Sequence, residues 1–476
     1  PNTIPNPPKN TPKCTKKVLQ IIPKNQPKGS SKIPQNHPKI FSKFIPQKTP
    51  KKSQDHTKKK IPKNPPNHLK VISKFISKNT KNTPKHPKIT PEFIFFLIPG
   101  VVFADGERWR QLRRFSLMVL RDFGMGRQSI ESRIQEEAQE LLHEFQKTQR
   151  KPFDPTFLLS CAVSNIICSI VFGNRFQYQD PEFLELLRLM NESFREMSTA
   201  WAQLYNMAEP LLKFVPGPHR RIPQLLGTMR SFVAQRVQDN ARTLDPHSPR
   251  DFIDMNKVGE KDNPKSEFTM ENLELTTLNL FFAGTETMSS TLRFGLLFLM
   301  RHPQVEEKIF KEISQVVGFG RAPALADRSL MPFTDATIHE IQRCSDPIPM
   351  NVPHRVTRDT EFRGFCIPKG TDIYPLLSSV LNDPESFKNP QNFDPGNFLD
   401  EQGRFQRNKA FVPFSAGKRL CLGEALVRAE LFLFLTSLLQ RLRPRPPAPP
   451  EELPTAPLVS GFANIPPHFQ LRLLPR

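Results

Sequence analysis

The sequence predicts a mainly α-helical domain with a small β portion, preceded by a disordered basic tail. Three observations support this prediction. The longest helical pattern, residues 271–300, is apolar almost all round, as is typical of a helix at the centre of a fold. Alternating sequence with Gly and Pro punctuation, typical of short strands, occurs only late, over residues 354–373 and at the C-terminus. Positive charge and proline are concentrated before residue 91.

The tail is defined by its composition. Of the 476 residues, the first 90 contain 22 Lys, no Arg, a single acid (Asp55) and 16 of the 50 Pro. That stretch carries +21 of the net charge of +22, whereas the other residues hold 46 basic and 45 acidic side chains. Because frequent proline prevents regular helices and strands, and because little apolar surface can be buried, we expect disorder over residues 1–92. We expect a folded domain over residues 93–476.

Two other interpretations of the tail remain open. It could act as a polybasic arm that is attracted to an anionic membrane or to RNA. Alternatively, its abrupt change of composition could mean that residues 1–92 are not authentic coding sequence. The balanced charge of the body excludes a globally basic nucleic-acid binder, so we expect no nucleic-acid partner.

The sequence shows no signal peptide and no run of about 20 apolar residues that could cross a membrane. The longest candidate, residues 93–104, is broken by Pro99 and Gly100. The six Cys form no C-x-x-C pair. In a chain of this length that pattern favours reduced thiols, and hence the cytosolic side of any membrane.

Helical periodicity and its punctuation predict the elements of the body in order. Apolar positions spaced three and four residues apart predict an amphipathic helix over residues 133–147. Asp154 and Pro155 introduce an apolar run, residues 157–172, that Gly173 ends, which predicts a buried helix. The same signals predict further helices over residues 181–197, 222–244, 271–300, 303–317, 333–343 and 422–442. Residues 214–218 are a predicted loop and residues 256–266 a predicted polar linker.

The most informative segment for chemistry is residues 414–423, which read F-S-A-G-K-R-L-C-L-G. Cys421 lies on a Gly-flanked loop before a predicted helix, where backbone N–H groups and the helix dipole stabilise a thiolate. Gly417 and Gly423 allow the backbone and a planar cofactor to approach closely. A thiolate held in this way suits the axial position of haem iron. A lone Cys is more commonly a buried structural residue, but the complete pattern F-x-x-G-x-R-x-C-x-G favours the ligand.

With this segment the sequence resembles the cytochrome P-450 superfamily and, within it, the vertebrate microsomal family-2 drug and steroid hydroxylases. Four further motifs occur in the order of that family: W-R-Q-L-R at 109–113, A-G-T-E-T at 283–287, E-I-Q-R at 340–343 and N-V-P-H at 351–354. The resemblance runs from about residue 100 to the end of the chain. It implies the cytochrome P-450 fold, here lacking the family's N-terminal anchor and first sheet strands.

The resemblance also implies haem b, iron protoporphyrin IX, as the cofactor, with Cys421 as the axial ligand of the iron. The residues that match haem-binding positions are Trp109, Arg113, His354, Phe414, Gly417, Arg419 and Gly423. Two propionates beside an apolar ring need cationic or N–H donors, and Trp109, Arg113, His354 and Arg419 can supply them.

Glu286 and Thr287 stand in the middle of an apolar helix, where a carboxylate and a hydroxyl are costly unless they are satisfied. Gly284 weakens the helix at this point, which permits a kink and space for dioxygen and water. By resemblance, Thr287 hydrogen-bonds dioxygen and relays protons to it together with Glu286. The alternative is that the Thr287 hydroxyl only bonds back to its own helix.

Glu340 and Arg343 are three residues apart on one predicted helix, a spacing that allows an ion pair. The pair could be an ordinary solvated one. The resemblance implies instead a buried structural network that holds the haem loop, with a third member from residues 395–398. Asn397 stands where the family usually has Arg or His, so this network keeps a hydrogen-bond donor but loses its charge.

By resemblance, the substrate pocket contains Asn279, Ala283, Ile348, Val352 and Phe462, with the region around Trp201 and Leu204 as its roof. These mostly apolar residues predict a lipophilic substrate such as a xenobiotic, a steroid or a fatty acid. The implied reaction inserts one atom of O₂ into that substrate.

The implied electron source is NADPH, which acts only indirectly through NADPH–cytochrome P-450 reductase, with cytochrome b5 as an alternative donor. Arg110, Arg114 and Lys418 are the predicted docking residues, although they could form an ordinary solvated charge cluster. The resemblance further implies the cytosolic face of the endoplasmic reticulum membrane, and a membrane surface as a partner.

The sequence departs from the family before residue 100, where Leu97 stands at the position of a propionate-binding Arg in many relatives. Residues 251–258 also fall where the family has a longer apolar helix segment. Because the missing portion normally supplies sheet strands and a pocket wall, a second interpretation stays open. The chain could be a truncated, non-catalytic pseudo-enzyme that cannot hold haem.

Overall fold

The computed structural model describes residues 100–122, 128–212, 214–245, 249–261 and 267–476. The predictions for the tail over residues 1–92, for Leu97 and for residues 262–266 of the linker lie outside these residues. Within the described chain the main compact unit comprises segments of Pro91–Arg358 and Lys369–Arg476. Residues 359–368 fall outside that unit and form a hairpin of their own.

Twelve α-helices are described, and they dominate the chain as the sequence predicts. In order they are α1 Gly106–Asp122, α2 Gln128–Gln146, α3 Thr156–Val171, α4 Pro181–Ser198, α5 Ala200–Leu212, α6 Arg221–Arg242, α7 Phe252–Lys261, α8 Met270–Arg301, α9 Pro303–Val316, α10 Pro332–Ser345, α11 Leu377–Leu381 and α12 Glu424–Arg441. Every helix predicted from periodicity is confirmed, with its ends within a few residues of the predicted ones.

Eight short strands pair in four antiparallel two-stranded sheets among the described residues. The strands are β1 His354–Arg355, β2 Thr360–Phe362, β3 Phe365–Ile367, β4 Asp372–Ile373, β5 Leu442–Arg445, β6 Val459–Ser460, β7 Asn464–Ile465 and β8 Arg472–Pro475. Strand β1 pairs with β4, β2 with β3, β5 with β8 and β6 with β7. All of them follow residue 353, which confirms the prediction of a small, late β portion.

Local signals explain where the central helices begin. The Asp180 carboxylate accepts hydrogen bonds from the backbone N–H groups of Glu182 and Phe183 at the start of α4, with Pro181 at the first helical position. Thr269 caps α8 in the same way, by accepting from the N–H of Asn272 at 3.2 Å. Each cap satisfies donors that the first helical turn would otherwise leave unpaired.

The centre of the fold is the contact between α3 and α8. Helix α3 is buried along most of its length, and α8 runs without interruption from Met270 to Arg301. At Gly284 a Cβ atom would lie only 2.6 Å from Cδ1 of Ile167 on α3. The helix that the sequence permits to kink at Gly284 is continuous through this residue. The glycine is required because the two helices approach too closely there for any side chain.

The prediction of a polar linker over residues 256–266 is wrong for the described part of this range, because helix α7 extends to Lys261. The Asp251 carboxylate accepts the N–H of Asp254 at 2.9 Å and so caps this helix. Arg250 pairs with Asp254 at 2.7 Å, and Phe252 and Ile253 are buried. Capping and burial at its first turn give this polar segment a helical conformation that its composition does not predict.

Candidate active site

The loop before α12 holds Cys421 in a tight turn. Ser415 and Gly417 both have a positive φ, of 64° and 73°, and the N–H of Cys421 donates to the carbonyl of Phe414 at 3.0 Å. A positive φ is strained for Ser415, and its hydroxyl is held at 2.8 Å by the side-chain amide of Asn351. Backbone geometry and this one contact therefore fix the loop on which the candidate ligand stands.

Cys421 is exposed as a residue, whereas its thiol is surrounded by protein atoms. Burial raises the pKa of this thiol, and the Glu424 carboxylate raises it further. The pKa is lowered by the backbone N–H groups of Gly423 and Glu424 and by the charge of Arg113. The expected N–H donors are thus present, but burial outweighs them in the protein alone. A coordinated metal ion would supply the missing positive charge, because it deprotonates a coordinating thiol outright. The residues around Cys421 fit an iron ligand.

Four predicted haem-binding side chains form a second, cationic group. The guanidinium carbons of Arg113 and Arg419 lie 5.7 Å and 4.2 Å from the centroid of the Trp109 ring. Arg113 donates to the carbonyl of Leu420 at 2.6 Å. Arg419 donates to the carbonyl of Ala104 at 2.8 Å. Contacts with the backbone thus hold Arg113 against the Cys421 loop and Arg419, within that loop, against Ala104.

These basic groups repel one another. Burial lowers the pKa of Arg419, the charge of Arg113 lowers it further, and Asp105 offsets part of the effect. Burial likewise lowers the pKa of His354, and the charge of Arg419 adds to that effect. Crowded, partly desolvated cations are costly unless an anion is bound among them. The group therefore fits a ligand that carries carboxylates, as the two propionates of haem do.

Most of helix α8 is buried, but an open seam runs along its middle. Ala283 is exposed and Thr287, four residues later, is half-buried, whereas their neighbours Thr285, Glu286 and Met288 are buried. Residues four apart lie on the same face of a helix, so this seam faces open space. It is the part of α8 that a cofactor or a small molecule can reach.

The Thr287 hydroxyl bonds back to its own helix, which is the alternative that the sequence left open. It donates to the carbonyl of Ala283 at 2.6 Å. This bond uses the hydrogen and leaves the oxygen as an acceptor. The structure therefore shows the back-bonded state, and the proton-relay role of Thr287 stays a prediction.

Glu286 is buried, with 1% of its surface exposed. Burial raises the pKa of its carboxyl to about 7, against the lowering effects of Arg293 and of a hydrogen bond from Asn191. Its Oε1 atom has no hydrogen-bond partner among the described residues. A carboxyl with a pKa near neutrality can both give and take a proton at physiological pH.

The Glu340–Arg343 pair is fully buried and not solvated. Arg343 donates to both carboxylate oxygens of Glu340, at 2.7 Å and 2.8 Å. It also donates to the carbonyls of Leu381, Pro390 and Asn392. Burial alone would lower the pKa of Arg343, but its bonds to Glu340 raise it above the usual value.

Asn397 joins this pair. Its side-chain amide donates to Glu340 Oε1 at 3.2 Å, and its Oδ1 accepts the N–H of Lys388 at 2.9 Å. The network thus ties α10 to the segment around Asn397. A neutral donor is present at the third position, in agreement with the sequence.

The predicted pocket residues lie in different environments. Ile348, Val352 and Phe462 are half-buried, as lining residues would be. The ring of Phe462 meets Phe194 edge-on at 6.0 Å, and Phe194 meets Phe282 of α8 at 5.7 Å. The exposed seam at Ala283 belongs to the same helix.

Asn279 has a structural contact. It is buried, and its Oδ1 accepts the N–H of Val102 at 3.1 Å. In the predicted roof, Trp201 donates from its indole nitrogen to Nδ1 of His219 at 2.9 Å, and Leu204 is exposed.

Sequence reasoning missed Asn191 and the contact between Asn351 and Ser415. Asn191 is a polar residue in an apolar stripe of α4, which is a signal that periodicity offers. The bond from Asn351 to Ser415 spans 64 residues, and no local pattern indicates it.

Comparison with known proteins identifies the family. The cytochrome P450 family profile matches residues 57–473. Cytochrome P450 2G1 of Oryctolagus cuniculus is 59% identical over 380 residues, which are 79% of this chain and 77% of that protein. Cytochrome P450 2A5 of Mus musculus is 53% identical and cytochrome P450 2B4 of Oryctolagus cuniculus 52% identical, each with the same coverage of both chains. The resemblance seen in the motifs is confirmed, and the chain belongs to the cytochrome P450 family of haem-thiolate monooxygenases.

Proposed function

We propose that this chain binds haem b through Cys421 and oxidises lipophilic small molecules with electrons that originate from NADPH. The observation that carries the proposal is that two features occur at one place. Cys421 stands beside Arg113 and Arg419, so a metal ligand and donors for an anion occur together. A structural Cys would not need the second feature.

The cofactor is held by two kinds of residue in this proposal. Cys421 ligates the iron, and Trp109, Arg113, His354 and Arg419 neutralise the propionates. Gly417 and Gly423 keep side chains away from the ring, and Phe414 belongs to the same loop. When bound, haem supplies the iron that activates O₂ for the insertion of one oxygen atom.

The catalytic work of the chain's own side chains is proton transfer. Glu286 exchanges protons near neutral pH because its pKa is about 7. Thr287 lies on the open seam of α8, and because its hydroxyl donates to the carbonyl of Ala283, its oxygen can still accept a hydrogen bond. The two residues together deliver protons to the open side of the helix.

The substrate class follows from the apolar character of the lining. Ala283, Ile348, Val352 and Phe462 contribute no charge, and Asn279 is engaged with Val102. A pocket of this kind orients a xenobiotic, steroid or fatty acid by shape.

Electrons enter from NADPH–cytochrome P-450 reductase, or from cytochrome b5, at a basic surface. Arg110 and Arg114 are four residues apart on α1 and exposed, and Lys418 is exposed on the Cys421 loop. Arg110 pairs with Glu107 at 2.7 Å, an exposed contact that costs little to break. We expect the double variant Arg114→Glu, Lys418→Glu to weaken reduction by the reductase. Arg242→Glu, an exposed change on α6, is the control.

A membrane surface is supported by an exposed apolar patch at the end of α5 and the following loop. The patch consists of Leu204, Met207, Leu211, Phe214 and Val215, of which Met207, Leu211 and Phe214 are 80%, 75% and 76% exposed. Large exposed apolar patches mark interaction sites. No helix in the described part of the chain combines the length and the apolar character that crossing a bilayer requires. On the family resemblance, we propose the cytosolic face of the endoplasmic reticulum membrane as the location of the protein.

The membrane contact is tested with zwitterionic vesicles, because the basic tail would bind anionic ones by charge alone. The double variant Met207→Ser, Leu211→Ser is expected to lose flotation with phosphatidylcholine vesicles. Equal flotation of the variant and the parent would contradict the contact.

The central proposal is tested by expressing the full chain with a haem supply and measuring how much haem remains after gel filtration. We expect stoichiometric haem in the parent and a loss in Arg113→Ala, Arg419→Ala. A chain that folds but retains no haem would favour a non-catalytic pseudo-enzyme instead.

A further inference from the structure

Asn191 is a polar side chain in the inward stripe of α4. The same stripe contains Leu187, four residues earlier, and Phe194 and Ser198, three and seven residues later. All three are buried. Asn191 itself is half-buried. An amide in such a stripe costs free energy unless it makes a hydrogen bond, so its presence calls for a partner.

The partner is Glu286 on α8. The Nδ2 atom of Asn191 donates to Oε2 of Glu286 at 3.5 Å, the long end of the hydrogen-bond range. The other carboxyl oxygen, Oε1, has no hydrogen-bond partner among the described residues. The two oxygens of this buried carboxyl are therefore inequivalent.

The charges around Glu286 come from few groups. Arg293, seven residues further along α8, is buried, and its charge lowers the pKa of Glu286. Asp154, just before α3, acts in turn on Arg293. Helix α3 itself contributes a neutral contact, between the hydroxyls of Ser164 and Thr285 at 2.8 Å. Helix α4 contributes the uncharged amide of Asn191.

We infer that Asn191 is a positioning residue for Glu286. The side-chain N–H of Asn191 holds Oε2 of Glu286 and leaves Oε1 as the atom that exchanges a proton. The inference rests on the proposed function, in which Glu286 gives a proton to the open side of α8 and regains one from water. Because the amide donates to the ionised carboxyl, it also keeps that form accessible at neutral pH. Arg293 acts only through its charge, and Asn191 also orients the group.

The test is an infrared titration of the Glu286 carboxyl in the full chain, with Glu286→Gln to identify its band. Asn191→Leu and Asn191→Ala remove the amide. Asn206→Leu is the matched control, since Asn206 is a buried asparagine of α5 that has no described hydrogen bond to Glu286. Asn191→Gln restores an amide. The carbon monoxide difference spectrum is recorded for every variant.

We expect both variants that lack the amide to bind the Glu286 proton about three- to tenfold more tightly, because a donor to the ionised form is lost. Asn206→Leu should leave the titration midpoint of Glu286 unchanged. Asn191→Gln should bring the midpoint at least part of the way back to the parent value. Unchanged midpoints in both Asn191→Leu and Asn191→Ala would overturn the inference.

Haem binding by Cys421 and the positioning of Glu286 by Asn191 can be disproved separately. If the parent and all variants lack a thiolate-ligated haem spectrum, the proposed function fails. The titration of the haem-free chain still decides whether Asn191 controls Glu286. If the spectra are intact and the midpoints do not move, only the inference about Asn191 is wrong.

Discussion

The side-chain amide of Asn397 donates to Oε1 of Glu340 at 3.2 Å, inside a network that also contains the fully buried Arg343. A neutral residue thereby completes the satisfaction of a buried carboxylate. Glu340 also accepts the backbone N–H of Asp394 at 2.8 Å. The network is structural, since it joins α10 to the segment that follows α11.

Removing the Asn397 amide and removing the Glu340 carboxylate should destabilise the fold by different amounts. We expect Asn397→Ala to lower the free energy of unfolding by about 1 kcal/mol, the value of one hydrogen bond. Glu340→Ala should cost about 3–5 kcal/mol because it leaves the Arg343 guanidinium buried without its carboxylate. Urea unfolding of the two variants measures the difference. Arg404→Ala, which breaks an exposed pair with Asp400, should unfold like the parent.

Gly284 should not tolerate a methyl group. A Cβ atom there would lie 2.6 Å from Cδ1 of Ile167, so Gly284→Ala is expected to destabilise by about 1–3 kcal/mol through overpacking. Ile167→Ala in the same chain should relieve the clash, which a double-mutant cycle would detect as a favourable coupling.

The matched control is Gly227→Ala on α6, where a Cβ atom would meet nothing within 4 Å. Because alanine favours a helix more than glycine does, this change should stabilise by about 0.5–1 kcal/mol. Equal effects of the two Gly→Ala changes would contradict the close packing of α3 and α8.

Acid should loosen the contact between Trp201 and His219. Nδ1 of His219 accepts the indole N–H of Trp201, and Tyr205 stacks on the imidazole at 4.3 Å. Burial, together with the charge of Arg220, lowers the pKa of His219 below its usual 6.5. The neutral imidazole is therefore favoured in the folded state. The stability it contributes is complete above about pH 6.5 and falls as the pH drops toward the folded-state pKa.

This pH dependence is measured in a Trp109→Phe background, where Trp201 is the remaining tryptophan of the two in the chain. Its fluorescence should change as the pH falls from 7 toward 5, and the change should vanish in His219→Phe. The exposed His143→Gln is the control. A fluorescence transition that persists without His219 would show that another group titrates.

Arg419 should control haem affinity more strongly than an exposed arginine does. A charge-assisted hydrogen bond contributes about 1.5–3 kcal/mol, so we expect Arg419→Ala to speed haem loss roughly 10- to 100-fold. Arg110→Ala should leave the rate of haem transfer to a scavenger protein unchanged. Equal rates for both variants would remove Arg419 from the propionate site.

Local patterns predict the helices of this chain well, because burial on one face imposes a period of 3.6 residues that the sequence retains. They fail where a residue that is distant in sequence determines the local structure. The segment before Lys261 is helical because Asp251 caps it and its first apolar residues are buried, not because of its composition.

At the site, too, sequence separation decides which features could be predicted. The motif around Cys421 and the Glu340–Arg343 pair could be predicted, since each depends on residues close in sequence. The need for Gly284 depends on Ile167, more than 100 residues earlier. The contact of Asn191 with Glu286 spans 95 residues, so it becomes visible only when α4 and α8 are packed together.

The most direct test of the account is the reduced, carbon monoxide difference spectrum of the full chain, compared with that of Cys421→Ala. We predict the long-wavelength band of a thiolate-ligated haem in the parent and its loss in the variant. A parent that shows only the shorter-wavelength band of a haem without a thiolate ligand, or no haem at all, would contradict the assignment of Cys421. The same band in both proteins would place the ligand elsewhere in the chain.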